Sequence, residues 1–185
     1  IRTTTQDVQE SAIAQAWTRL GVLATPHRRR LIAGLPHFHL ACRLTRRGST
    51  AGEFLAEVIL NLAKTLEVLF PPDGDGRTRD GVRRALRQLG FEDAQIEGDF
   101  IPAMALRNEI DVGHVELGLF TMDQLKVIHA FSERAEGAFR DLFERLLSHI
   151  ESGKFDVTPY KVSEARPEAI ALIQRLLQHT PPDAV

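Results

Sequence analysis

Apolar positions recur three and four apart along most of this chain, and short alternating runs of the kind that form strands are nearly absent. The first such segment runs from Gln6 to Leu23, with Val8, Ala12, Ile13, Ala16, Trp17 and Leu20 on one face. Pro26, Gly34 and Pro36 then interrupt the pattern around one short helical piece, and PHFHLACRL (36–44) predicts another helix, ended by Arg46-Arg47-Gly48. A longer helix follows. Thr50 and Glu53 have the spacing of a capping box, and Phe54, Leu55, Val58, Ile59, Leu62, Ala63, Leu66, Leu69 and Phe70 form a wide apolar stripe. PPDGDG (71–76) is an exposed turn.

Val82, Ala85, Leu86 and Leu89 line a short basic helix closed by Gly90. A further helix passes through Phe100 to about Ile110, with Pro102 in its first turn or kinking it. The last large helix begins at a capping-box pair, Thr121 and Gln124, with Phe120 and Leu125 at the staple positions. Its stripe is Leu125, Ile128, Phe131, Ala135, Ala138, Phe139, Leu142, Phe143, Leu146 and Ile150, about eight turns in all, ending at Gly153. A final helix spans about Pro167 to His179 and is expected to pack on the rest. These patterns predict an all-α fold, an antiparallel bundle of four to five main helices with an additional helical N-terminal segment. The expected division is 1–48 as a helical extension, 49–153 as the bundle and 154–185 as a terminal helix packing on it.

At 185 residues, the chain has length for one core rather than two. No apolar run approaches the roughly 20 residues of a membrane span. No basic-then-apolar leader is evident, and the single cysteine, Cys42, has no partner for an internal disulfide. A cytoplasmic setting is therefore expected.

The net charge of −2 conceals an asymmetry: residues 1–90 carry 14 Lys/Arg against 8 Asp/Glu, and residues 91–185 carry 9 against 17. Nineteen of the 23 basic residues are arginine, whose planar fork suits phosphate. Arg77, Arg79, Arg83 and Arg84 form one candidate nucleic-acid-binding set, and HRRR (27–30) another cluster. The asymmetry equally suits self-association of a basic face with an acidic one.

The chemistry-bearing stretch is AMALRNEIDVGHVELG (103–118). In a continuous helix, Arg107 and His114 are separated by about 700° of rotation and about 10 Å of rise, so both face one side. Asn108 adjoins the arginine, and Asp111, three before His114, is placed to orient its ring. A neutral histidine can take the proton from a ribose 2′-OH, or as imidazolium supply one to a leaving oxygen, while arginine holds the phosphate as charge builds. The alternative is that Arg107 pairs with Glu109, Asp111 or a neighbouring helix, and His114 is a solvated residue before the next cap. With 19 arginines and 7 histidines, chance gives about two such patterns, and the chain has two. The other, Arg30–His37, spans Gly34 and Pro36, so its helical phase is expected to be broken.

HFHLAC (37–42) lacks the fourth ligand of a zinc site, and Asp111-x-x-His114 lacks the second half of a di-iron motif. PPDGDG lacks the Lys-Ser/Thr of a phosphate loop. The residues therefore imply neither a metal nor a cofactor.

Four stretches in order carry a family resemblance: LAEVILNLAKTLEVLFP (55–71), RRALRQLGF (83–91), DFIPAMALRNEIDVGHV (99–115) and FTMDQLKVIHAFSERAEGAFRDLFERLL (120–147). Together they resemble the HEPN superfamily, small helical bundles with an Arg, four to six residues, then His, and often Asn directly after the Arg. The resemblance covers residues 50–153. It implies a metal-independent endoribonuclease whose groove, at a homodimer interface, holds Arg107, Asn108 and His114 from each chain. It implies RNA as substrate, a toxin, phage-defence or RNA-processing setting, and in some cases an antitoxin or other partner protein. Glu67 stands where family members often carry an acidic or polar residue. Other members of the family are inactive and serve as dimerisation or nucleotide-binding modules. The sequence departs from the family in having glycine before the histidine (VGH), and residues 1–48 have no family counterpart. A third reading is an arginine-mediated nucleic-acid-binding regulator, with steep salt dependence mapping to Arg77, Arg79, Arg83 and Arg84.

Overall fold

The computed structural model describes residues 5–23, 25–47, 53–72, 76–109, 121–160 and 166–179. Most of these residues are helical, with no strand among them, and the fold is an all-α helical bundle. Helix α1 spans Gln6–Leu23, and a 3-10 turn (Pro26–Arg28) leads into α2 (Arg29–Arg47). Then come α3 (Leu55–Leu69), α4 (Thr78–Gln88), α5 (Asp93–Gln95), a π turn (Ile96–Phe100), α6 (Ile101–Glu109), α7 (Met122–Glu151) and α8 (Pro167–Gln178).

The most extensive packing is between α2 and α3. On α2 the buried face is Leu31, Gly34, Phe38, Ala41 and Cys42. Gly34 permits the close approach, because a Cβ there would lie 3.0 Å from Leu69 Cδ2. Contrary to expectation, α2 runs unbroken through both Gly34 and Pro36. Pro36 sits on the exposed side, and the packed face of the helix holds the turns on either side of it.

The α3 stripe is buried from Leu55 to Leu69, and Val82, Ala85, Leu86 and Leu89 are buried on and just after α4. Gly90 closes α4 with a φ of +80°. Its N–H donates to the Arg87 carbonyl (3.0 Å) and the Phe91 N–H to the Leu86 carbonyl (3.1 Å), the paired bonds of a Schellman cap. The π turn rests on the Ile101 N–H donating to the Ile96 carbonyl. Pro102, one residue later, has no N–H to continue an α-helical register there.

Helix α7 begins at its capping box. The Thr121 N–H donates to Gln124 Oε1 at 2.8 Å, and the Gln124 N–H donates to Thr121 Oγ1 at 3.3 Å. Its inward face reads Ile128, Phe131, Ala135, Phe139, Leu142, Phe143, Leu146 and Ile150. Phe139 lies at the centre of the core, with ring centroids 6.0 Å from Phe38 of α2 and 5.3 Å from Phe100 of the π turn. Losing a ring packed in this way costs about 3–5 kcal/mol.

The two terminal helices differ from the rest. Helix α1 forms where the periodicity predicts, yet its stripe is uncovered: Trp17 is 69% exposed, with Val8, Ile13 and Leu20 also exposed. Helix α8 was expected to pack on the bundle. Instead its apolar residues Ile170, Leu172, Ile173 and Leu176 are all exposed. An amphipathic stripe requires cover from some apolar surface and does not specify which. No helix among the described residues is long and apolar enough to cross a membrane.

Candidate functional site

Arg107 and Asn108 lie on the last described turn of α6, next to α3. The Arg107 guanidinium donates through Nη1 to both carboxylate oxygens of Glu67. Both side chains are partly exposed, 35% for Arg107 and 28% for Glu67. Asn108 is exposed. His114 and Asp111, the other two candidates of this stretch, lie outside the described residues, as do Thr50 and Phe120. The structure thus brings together Arg107 and Glu67, 40 residues apart in sequence, with Asn108 beside Arg107 only as its chain neighbour.

The four candidate phosphate-binding arginines differ in their surroundings. Arg83 is taken up by carboxylates: its Nε and Nη2 donate to Glu97 at 2.6 and 3.0 Å, and its Nη1 to Asp80 at 3.3 Å. The hydrogen bonds from Arg83 hold the Glu97 carboxyl below its ordinary range, and the same contact pushes the guanidinium of Arg83 further up. Arg77 and Arg84 are exposed on α4 or at its start. Arg79 has a different partner: its Nη2 donates to the Met104 carbonyl of α6 at 3.3 Å.

That last bond was not foreseen. A helical carbonyl points toward the C-terminus, so Met104 O faces the turn that carries Arg107 and Asn108. By helical angle, Met104 lies between those two residues. Arg79 therefore touches the helix that carries Arg107 and Asn108, whereas Arg83 is held by Glu97 and Asp80. No linear pattern signals this contact, because it depends on the angle at which α4 returns after the double proline.

The second Arg–His pattern has a different fate. With α2 continuous, Arg30 and His37 share a helical face after all. Arg30 donates from Nε to the Thr158 carbonyl at 2.7 Å and from Nη1 to the Val68 carbonyl at 3.1 Å, and its guanidinium lies 4.2 Å from the Tyr160 ring centroid. His37 Nδ1 is 3.3 Å from Asn61 Oδ1. Asn61 Nδ2 already donates to the Glu57 carbonyl, so the His37 Nδ1–H is the donor to Oδ1. Beside Arg30, Arg28 donates from Nε and Nη2 to Asp156 at 3.0 and 3.1 Å. These arginines strap residues 156–160 to the ends of α2 and α3.

His37 is half-buried, His39 exposed and Cys42 buried. Burial, with the Glu136 carboxylate nearby, pushes the Cys42 thiol up. Among the described residues, no group of three or more His, Cys, Asp or Glu side chains gathers as metal ligands would. On the side of α6 away from Arg107 an open apolar groove of about 620 Å³ runs against α7, lined by Ile101, Pro102, Ala105, Leu106, Val127 and Ile128 among others. Family models, curated proteins and solved structures were each compared with the chain, and none matches it.

Proposed function

We propose that this chain is a HEPN-like, metal-independent endoribonuclease that works as a homodimer. The observation that carries the reading is on the last described turn of α6, where Arg107, followed by the exposed Asn108, meets Glu67 of α3. Arg107 is the phosphate-holding and charge-stabilising group, and Asn108 orients the phosphate or a ribose hydroxyl. His114 is the proton-transfer group. As neutral imidazole it removes the proton from the 2′-OH, and O2′ attacks phosphorus. The P–O5′ bond breaks, and O5′ takes its proton from the imidazolium of the second chain's His114. The products are a 2′,3′-cyclic phosphate and a 5′-hydroxyl. Asp111 supports the orientation of the His114 ring.

A second chain is needed because one histidine does not readily perform both transfers. The exposed apolar residues Met122 and Val127, at the start of α7 beside the groove, provide surface on which one could associate. RNA is the substrate, in a toxin, phage-defence or RNA-processing setting with an antitoxin or other partner protein.

The deciding experiment incubates the purified protein with RNA in excess chelator and analyses the ends of the products. Cyclic phosphate ends that disappear in His114→Ala support the reading, and intact RNA with a confirmed dimer overturns it. The second reading is a non-catalytic dimerisation or nucleotide-binding module with a partner protein. It is favoured by the same Arg107–Glu67 pair, since an arginine already matched by a carboxylate is also what a structural ion pair looks like. That reading expects Arg107→Ala to alter binding or assembly with no cleavage by any variant.

A further inference from the structure

Two arginines converge on one turn of α6, and one carboxylate stands between that turn and α3. Arg107 donates to Glu67, and Arg79 donates to the Met104 carbonyl, which faces the turn of Arg107 and Asn108. By helical angle Met104 lies between Arg107 and Asn108, so Arg79 meets α6 one turn before them. The neighbouring basic residue Arg83 is excluded from this cluster by its bonds to Glu97 and Asp80.

A carboxylate and a phosphate present the same planar pair of oxygens to a guanidinium, and Arg binds either through parallel N–H donors. The Glu67 carboxylate therefore stands where a phosphate would bind. Its partial exposure leaves it a route back to water when displaced. A nucleic-acid phosphodiester carries the same single charge as the carboxylate, and it competes with this partly solvated pair by engaging the Arg79 guanidinium as well.

We propose that Glu67 is an exchangeable placeholder in a phosphate subsite formed by Arg107 and Arg79, displaced when a nucleic-acid phosphate enters. Arg79 is thus a binding residue of the site, and Glu67 is a brake that sets how much phosphate-backbone affinity the site shows. The inference deepens the ribonuclease reading and rests on its site, but it concerns binding and requires no cleavage.

The test uses a short single-stranded DNA oligonucleotide, which has no 2′-OH and stays intact, titrated into the full chain at several salt concentrations. Glu67→Gln keeps the shape and removes the charge, and it is expected to tighten binding about tenfold at low salt. Arg79→Gln is expected to weaken binding about tenfold and to reduce the salt slope by about one phosphate contact. Arg83→Gln, whose guanidinium is already matched by Glu97, is expected to bind as the parent does. Circular dichroism spectra and unfolding midpoints confirm that each variant folds. Weaker or unchanged binding in Glu67→Gln overturns the placeholder role, as does failure of parent and Glu67→Gln alike to bind. An Arg79→Gln effect equal to that of Arg83→Gln removes Arg79 from the subsite. Failure of the nuclease reading shows separately, as intact RNA beside the expected binding changes.

Discussion

Arg30–His37 and Arg107–His114 are the same pattern, an arginine and a histidine with six residues between, and the fold treats their arginines in opposite ways. Arg30 is anchored to two backbone carbonyls and stacks on Tyr160. Backbone carbonyls are held by the fold itself, so this arginine has no alternative partner to exchange for. Arg107 is matched by a side-chain carboxylate on a neighbouring helix, partly in water. A carboxylate can rotate away, and an entering anion can replace it. Three anchors on Arg30, two carbonyls and a ring, against one carboxylate on Arg107 separate these two arginines, and the spacing of the pattern does not.

The largest expected effect tests that separation by activity. Arg107→Ala should lower RNA cleavage about a thousandfold, the scale of losing one preorganised charge-stabilising group. Arg30→Ala should leave the rate within about threefold at a temperature where the protein stays folded. The measurement is initial cleavage rate on a defined RNA. Equal losses from the two substitutions would erase the distinction.

Stability should rank the two the other way. Arg30→Ala removes two hydrogen bonds to carbonyls, one exposed and one partly buried, and a stack on an aromatic ring, at a cost of about 2 kcal/mol in urea unfolding. Arg107→Ala should cost about 1 kcal/mol or less, because the pair it breaks is partly solvated. If Arg107→Ala proves the more destabilising, the Arg107–Glu67 pair is a structural bridge and the non-catalytic reading gains.

The histidines follow with a smaller effect. His37→Ala leaves the Oδ1 of Asn61, a residue only 6% exposed, without its donor. The expected cost is about 1–2 kcal/mol by thermal or urea unfolding, with cleavage unchanged. A loss of cleavage with stability intact would place His37 in chemistry and not in the core.

These contrasts show which kinds of information the sequence carries locally. The α7 boundaries were legible because a capping box and a glycine cap depend on residues three to five apart: Thr121 with Gln124 at one end, Gly153 at the other. The stripes of α3 and α7 were legible because burial follows helical phase. Pro36 misled, because a proline's local cost in a helix is only about 3 kcal/mol, and the packing of Leu31, Phe38 and Ala41 against α3 outweighs it. That error also misplaced the weight between the two Arg–His patterns, since phase proved intact at Arg30–His37. The Arg79–Met104 bond and the Arg30 strap were illegible, as each joins elements at least 25 residues apart and depends on how helices cross. Glu67 was named only through the family resemblance, and a partner for Arg107 on a neighbouring helix only as the non-catalytic alternative; neither specified the Arg107–Glu67 pair.

The smallest effect concerns pH and the strap beside Arg30. Arg28 donates two hydrogen bonds to Asp156, and the Val157 N–H donates a third. The Arg28 bonds in the first place, with the Val157 N–H, hold the Asp156 carboxyl below its ordinary range. A carboxyl more acidic in the folded chain than in the unfolded one stabilises the fold at pH values above its unfolded value. That contribution fades as pH falls through the folded value. The gap in unfolding free energy between the parent and Asp156→Asn should therefore be constant from neutral pH to about pH 5 and close below about pH 4. Its size should stay under about 1 kcal/mol, because half of the Asp156 side chain is in water. Arg30→Ala tests the remainder of the strap independently of this charge, because its acceptors are carbonyls that do not titrate. Its cost should thus persist unchanged to pH 3.5. If the Arg30→Ala cost fades with acid while the Asp156→Asn gap does not, the strap is held by charge at Arg30 and not by the carbonyls of Val68 and Thr158.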